Sequence, residues 1–151
     1  MPGYPPVEEL LPHAAPMVLL DAVEEADGLR CRCRVEVRSG APFVGDGGVP
    51  AFVGVEYLAQ AVGALSGWRA RLSGKAPQLG FLLSVREYAS DVAMFPMGTT
   101  LLVEVTHVWG EGEMMRFDGI LRDATHGQIL AQGGLSVFSP ENPDSYLKGA
   151  A

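Results

Sequence analysis

Cysteine is almost missing from this chain: Cys31 and Cys33 are the only two, one residue apart. They are too close in sequence to staple the fold, so a disulfide scaffold of the secreted kind is excluded. Basic residues are scarce as well. Eleven Lys and Arg stand against eighteen Asp and Glu, a net charge of −7. That field repels phosphates, which argues against a general nucleic-acid binder and against loose docking on anionic membranes. No apolar run comes near the roughly 18 residues that a bilayer span needs. The start, Met1-Pro-Gly-Tyr-Pro-Pro-Val-Glu-Glu, has no cationic region and no apolar core, so no secretory signal is expected. A reducing cytoplasm is the expected compartment. Histidine occurs three times, at His13, His107 and His126. No His/Cys/Asp cluster has metal-ligand spacing. Gly45-Asp-Gly-Gly lacks the Gly-Lys-Ser/Thr of a phosphate loop, and there is no Gly-x-Ser-x-Gly elbow. Neither a metal nor a cofactor is expected.

What is present describes one globular domain over residues 1–151. Hydrophobic residues make up 48% and charged residues 19%, enough for a buried core in a single unit. Residues 7–11 predict a short helical turn, stopped before Pro12. Residues 17–23 read as a strand. Residues 29–38 alternate without a break: Leu29, Cys31, Cys33, Val35 and Val37 on one face, Arg30, Arg32, Arg34, Glu36 and Arg38 on the other. That is a strand with one dry and one wet side, and it makes the two cysteines small core residues. Residues 41–50 form a Gly/Pro-rich loop. Residues 51–72 change character: nearly uncharged until Arg69, rich in Ala and Gly, and long enough for a helix of about 30 Å. A helix apolar almost all round is covered on most sides. Its small residues, among them Gly54, Ala61, Gly63, Ala64 and Gly67, let neighbours approach closely. Pro50 stands where helices start. Arg69, Arg71 and Lys75 suit a helix C-terminus, and the same cations would attract an acidic partner.

After Gly74 the pattern returns to strands at 81–85, 100–109, 114–122 and 128–138, parted by turn signals at 96–98, 110–112 and 125–127. Met114 and Met115 read as core filling. His107 falls on the face of Leu101, Val103, Val105 and Trp109, as a hydrogen-bonded core or interface residue. His126 falls in a turn. Residues 139–151 are expected to be a surface tail. The order predicts an α+β fold, one antiparallel sheet wrapped around a long central helix. One small sheet cannot cover that helix, so two subunits are expected to pair with C2 symmetry.

Glu56 is the one acidic residue of the helical stretch, and Gln60, four residues on, shares its face. A carboxylate in apolar surroundings is costly unless paired, hydrogen-bonded or neutralised, and such an environment suits proton transfer. A purely structural role, fixing the packing of a partner helix, fits the same pattern.

The stretch Val49-Pro-Ala-Phe-Val-Gly-Val-Glu-Tyr-Leu-Ala-Gln-Ala-Val-Gly resembles the helix motif of the 3-hydroxyacyl-[acyl carrier protein] dehydratases: Met-Pro-Gly, four apolar residues, Glu, two of any kind, Ala-Gln-Ala. Pro50, Glu56, Ala59, Gln60 and Ala61 are in register. Leu11-Pro-His13 with Pro16, Leu20 and Asp21 resembles the family's N-terminal signature, Ala41-Pro-Phe43 the entry to its active-site loop, Phe95-Pro-Met-Gly98 its turn, and Gly127-Gln-Ile-Leu-Ala-Gln-Gly-Gly-Leu its last strand. Residues 11–17, with Ala59-Gln60 and Ser66-Gly67-Trp68, look still more like the dehydratase-like proteins of bacterial aryl-polyene pigment pathways.

The resemblance implies a hotdog fold and elimination of water from a 3-hydroxyacyl thioester, carried on acyl carrier protein or coenzyme A. In that family a His takes the C2 proton, a helix carboxyl handles the departing hydroxyl, and N–H groups at the helix start polarise the carbonyl, in a site built across a dimer. Carried over, Glu56 is the carboxyl, with Gln60, His13 and Asp46 as further candidate catalytic residues and Phe43, Pro50, Ala51 and Phe52 around the substrate. His13 matches a family His of structural role. Ala51 takes the place of the glycine whose N–H faces the carbonyl. The departure lies in the loop: the family's Gly-His-Phe-Pro is replaced by Phe43-Val-Gly-Asp-Gly-Gly-Val-Pro50, without a His. Three functions stay open: a dehydratase; a degenerate subunit that lends Glu56 to a His-bearing partner in a heterodimer; and an acyl thioesterase in which Glu56 or Asp46 activates water.

Overall fold

The computed structural model describes residues 3–11, 17–75, 81–111 and 113–138. His13 and the expected tail at 139–151 lie outside the described residues. In chain order the strands are β1 (Ala22–Ala26), β2 (Arg30–Glu36), β3 (Gly48–Pro50), β4 (Phe81–Ser90), β5 (Met94–Pro96), β6 (Thr100–Trp109), β7 (Met114–Asp123) and β8 (Ile129–Phe138). A single 3-10 turn at Val7–Glu9 precedes β1, and another at Ala51–Val53 leads into the one long helix, α1 (Gly54–Leu72). Six strands form an antiparallel sheet in the order β1-β2-β6-β7-β8-β4, and β3 pairs with β5 as a separate short ribbon. The sheet wraps α1, as the order of the elements predicts.

The inner face of β2 is Cys31, Cys33, Val35 and, just beyond, Val37, all buried, while Arg30, Arg34, Glu36 and Arg38 are exposed. Leu29 departs from the expectation and is 58% exposed. The strand starts one residue later, because Asp27 Oδ1 accepts the N–H groups of Leu29 (2.7 Å) and Arg30 (2.8 Å) and closes a turn there. The same two bonds hold the Asp27 carboxyl below the usual carboxylate range. Trp109 is also displaced outward, 61% exposed, because the β6–β7 register slips between His107 and Trp109. Met114 is 41% exposed, so only Met115 of that pair packs against the core. The turn between β6 and β7 begins at Gly110, whose φ of 89° is a left-handed conformation that favours glycine.

The sequence predicts a strand over 17–23, yet β1 begins at Ala22. Residues 17–21 instead form a strap, tied at one end by Gln60 and at the other by Asp21. Asp21 accepts the Glu36 N–H (2.7 Å) and both guanidinium nitrogens of Arg38 (3.2 and 3.1 Å). Leu19 and Leu20 are buried beneath the strap. Among the described residues no helix is long and apolar enough to cross a membrane.

On α1, Leu58, Ala61, Ala64 and Leu65 are wholly buried. Gly67 lets the backbone of Leu10 lie directly on the helix, with the Leu10 carbonyl where a Cβ would stand. Gly63 faces only the end of the Leu11 side chain, Cδ2 at 3.0 Å from an added Cβ. These two glycines should therefore answer oppositely to alanine. Gly67→Ala gains about 1 kcal/mol of helix propensity but forces a backbone aside at a cost of about 1–3 kcal/mol, so thermal unfolding should show a lower Tm. Gly63→Ala, where a flexible side chain can yield, should leave Tm unchanged or raise it.

Candidate active site

The ribbon of β3 and β5 sets the start of the helix. Pro50, with φ −56°, ends β3 and pre-forms the turn at Ala51–Val53. The Ala51 N–H, expected to polarise a substrate carbonyl, is already committed, donating to the Ala93 carbonyl at 3.0 Å. Among the described residues the next donor, the Phe52 N–H, has no acceptor. It opens the helix where free N–H groups and the dipole favour negative charge. The Ala51 carbonyl accepts the Tyr88 hydroxyl at 2.6 Å. Gly54 makes that approach possible, since the Tyr88 hydroxyl, Leu121 and Phe95 occupy the space a side chain would need.

Glu56 sits in the first turn of α1, half-buried. Gln60 lies one turn further in and is completely buried. Its amide makes three hydrogen bonds: Nε2 donates to Glu56 Oε1 (3.1 Å) and to the Met17 carbonyl (2.7 Å), and Oε1 accepts the Leu19 N–H (2.8 Å). The four-residue spacing thus does bring the pair together, and the strap adds two backbone partners that the sequence does not announce. Tyr57, next to Glu56, is buried; desolvation, and then the Asp21 charge, push its phenol up to about 12.

The remaining candidates are more dispersed. Asp46 is exposed in the loop before β3. Phe43 is 55% exposed and takes a left-handed φ of 66°, a strained backbone for a bulky residue. Phe52 is 73% exposed beside Glu56's turn of the helix. With Met94 and Met97, both exposed, Phe43 and Phe52 leave an apolar rim on the ribbon, its loop and the helix start. A cleft of about 490 Å³ runs along β4, β7 and β8, and its lining includes none of the expected site residues. A smaller one of about 50 Å³ reaches the helix at Tyr57, below the loop at Ala41 and Pro42.

Both described histidines are occupied elsewhere. The ring of His107 donates from Nε2 to the carbonyls of Trp109 (3.0 Å) and Gly110 (2.6 Å), which can only accept. Its Nδ1 takes a hydrogen bond from Arg69 Nη2 (2.9 Å), which can only donate. The ring also stacks on Phe117 at 5.0 Å. His126 meets Asp123 in the β7–β8 turn at 3.2 Å. Nor are all the cations at the helix end free. Arg69 binds the Gly28 carbonyl twice (2.8 and 2.6 Å), and Arg71 pairs with Glu9 (3.3 Å).

Sequence reasoning misses Tyr88 and Ala93. The strand expected at 81–85 stops short of the first, and only the β3–β5 pairing brings the second to the helix start.

The chain is similar, at 30% identity over 96% of its length and 97% of the other's, to a chain of the dehydratase heterocomplex ApeI:P from Xenorhabdus doucetiae, with a TM-score of 0.89. More distant likenesses show the fold alone. AziG from S. sahachiroi is 14% identical over 78% of this chain and 89% of that one, with a TM-score of 0.60. A hypothetical thioesterase with coenzyme A from Streptococcus pneumoniae TIGR4 is 11% identical over 78% and 83%, with a TM-score of 0.61. No curated protein matches the sequence. The model of the ApeP-like family, described as ApeP dehydratase, matches residues 5–148. A six-stranded sheet wrapped on one helix, the Glu56–Gln60 pair at that helix's start and a family match over nearly the whole chain agree: this is a hotdog protein, and it belongs to the ApeP-like dehydratases.

Proposed function

We propose that this chain supplies the carboxyl half of a dehydratase site that a second, His-bearing hotdog subunit completes. The substrate is a 3-hydroxyacyl thioester, held on acyl carrier protein or coenzyme A, and the product a 2-enoyl thioester, in synthesis of the fatty-acid or aryl-polyene type within a reducing cytoplasm. The observation that carries the reading is the bond between Gln60 and Glu56 at the head of α1, in a chain whose two described histidines are both tied down far from it in sequence.

A His from the partner takes the C2 proton. The helix-start N–H groups, Phe52 first, hold the thioester oxygen as it gains charge. Glu56 in its acid form gives its proton to the departing 3-hydroxyl. The C2–H and C3–O bonds break, the C2–C3 double bond forms, water leaves, and the proton held by the His returns to Glu56 before the next turnover. Gln60 donates to one carboxyl oxygen and so fixes the orientation in which the group meets the substrate. The apolar rim of Phe43, Phe52, Met94 and Met97 suits both an acyl chain and a partner surface.

Two observations favour the split site over a self-sufficient homodimer. Asp46, the one titratable residue of the loop that lacks the His, is exposed. The similar protein from Xenorhabdus doucetiae is a heterocomplex. Membership of a dehydratase family favours elimination over thioester hydrolysis.

Glu56→Gln, assembled with the His-bearing partner, should lose at least about a hundredfold in turnover while the complex elutes at the same size. The ultraviolet absorbance of the enoyl thioester reads the rate, and full activity would return Glu56 to a packing role. The purified chain alone should be inactive on 3-hydroxyacyl carrier protein and gain activity when the partner is added. Brisk turnover by the isolated chain would contradict the split site.

A further inference from the structure

The Ala51 carbonyl and the Phe52 N–H belong to one peptide group. A peptide is planar and trans, so whatever fixes its oxygen also aims its hydrogen. Tyr88 grips that oxygen at 2.6 Å. The preceding peptide is pinned as well, by the Ala51 N–H on the Ala93 carbonyl at 3.0 Å. The plane that carries the first free donor of the helix is therefore held from both sides.

The chain bends out of its regular pattern to bring Tyr88 there. Between Arg86 and Ala89 the register of β4 against β8 slips. Glu87 sits in the left-handed region at φ 48°, which is strained for a residue with a side chain. A bulge of this kind re-aims the side chain beside it. Gly133 on β8 accommodates it, since a Cβ there would stand 2.9 Å from the Tyr88 Cα. Gly54 clears room for the hydroxyl on the helix side. Three local concessions, one strained φ and two glycines, serve one hydrogen bond.

We infer that Tyr88 is a positioning residue for the dehydration: by holding the Ala51 carbonyl it aims and strengthens the Phe52 N–H that receives the thioester oxygen. This rests on the proposed role of the helix start. A carbonyl can only accept, so the phenol donates, and a hydrogen bond to the oxygen of an amide polarises its N–H into a better donor. Burial raises the Tyr88 phenol to about 12, which keeps its proton in place through the working range. The effect falls on the charge that develops at the carbonyl oxygen, so it is felt in kcat more than in KM.

Tyr88→Phe keeps the ring and removes the donor. The complex of this chain with its His-bearing partner is given a saturated acyl pantetheine thioester labelled with 13C at the carbonyl, and the carbonyl stretch is read by isotope-edited infrared spectroscopy. In the unaltered complex the bound stretch should lie to the red of the free thioester. In Tyr88→Phe part of that shift should vanish, and turnover of the 3-hydroxyacyl substrate should fall about tenfold in kcat with KM within about twofold. Deleting the whole ring would leave a cavity beside the helix, so Gly133→Val serves as the second variant; it displaces the bulge with the phenol intact and should lose part of the same shift. A full red shift retained in Tyr88→Phe, whatever its rate, overturns this inference and leaves the role of the helix start standing. No red shift in the unaltered complex overturns both.

Discussion

One completely buried amide joins three parts of this molecule. Gln60 holds the strap at Met17 and Leu19 with one donor and its acceptor, and gives its second donor to Glu56. A side-chain amide has two donors and an acceptor oxygen, and here all are used. Inside a protein such a group is costly unless satisfied, and firmly placed once it is. The consequence runs in both directions. The strap is prevented from extending β1 toward Met17, because its backbone groups are taken, and the Glu56 carboxyl is anchored by an atom that the core itself immobilises.

The helix around that amide has two tasks that its composition reconciles. It must be apolar enough to fill the sheet, which Leu58, Ala61 and Leu65 accomplish. It must also let other backbone come within contact, which Gly67 permits for Leu10 and Gly54 for the Tyr88 hydroxyl. The Glu56–Gln60 pair lies in the first two turns. There the peptide planes are set by Ala93 and Tyr88, and the carboxyl by Gln60. The opposite end is a structural seam, where Arg69 links the Gly28 carbonyl to the His107 ring.

Local pattern makes much of this architecture legible. Alternation marks β2, a long and nearly uncharged run rich in small residues marks α1, and glycine turns separate β6, β7 and β8 within a residue or two. The Glu56–Gln60 pair is visible as a four-residue spacing. What stays hidden depends on partners far along the chain. The ribbon of β3 and β5 lies inside a loop-like stretch, because three residues are too few to show a period. Leu29 and Trp109 obey alternation in the sequence, but a turn at Asp27 and a register slip after His107 turn them outward. The Ala51 N–H looks free until Ala93 is brought beside it. No local signal separates a strand tyrosine from one re-aimed by a bulge, so Tyr88 is invisible at that level. The absence of a histidine from the loop at Phe43–Pro50 is plain in the sequence, and it is what points to a partner's histidine in the proposed split site.

The account turns on Glu56 meeting substrate opposite a histidine that this chain does not own. A crystal structure of the assembled complex, with an unreactive amide analogue of a 3-hydroxyacyl pantetheine thioester bound, tests that directly. The account predicts a Glu56 oxygen about 3 Å from the 3-hydroxyl and the partner's imidazole facing C2 from the other side. An analogue seated away from Glu56, or a Glu56 carboxyl turned into packing with no histidine across from it, would contradict it.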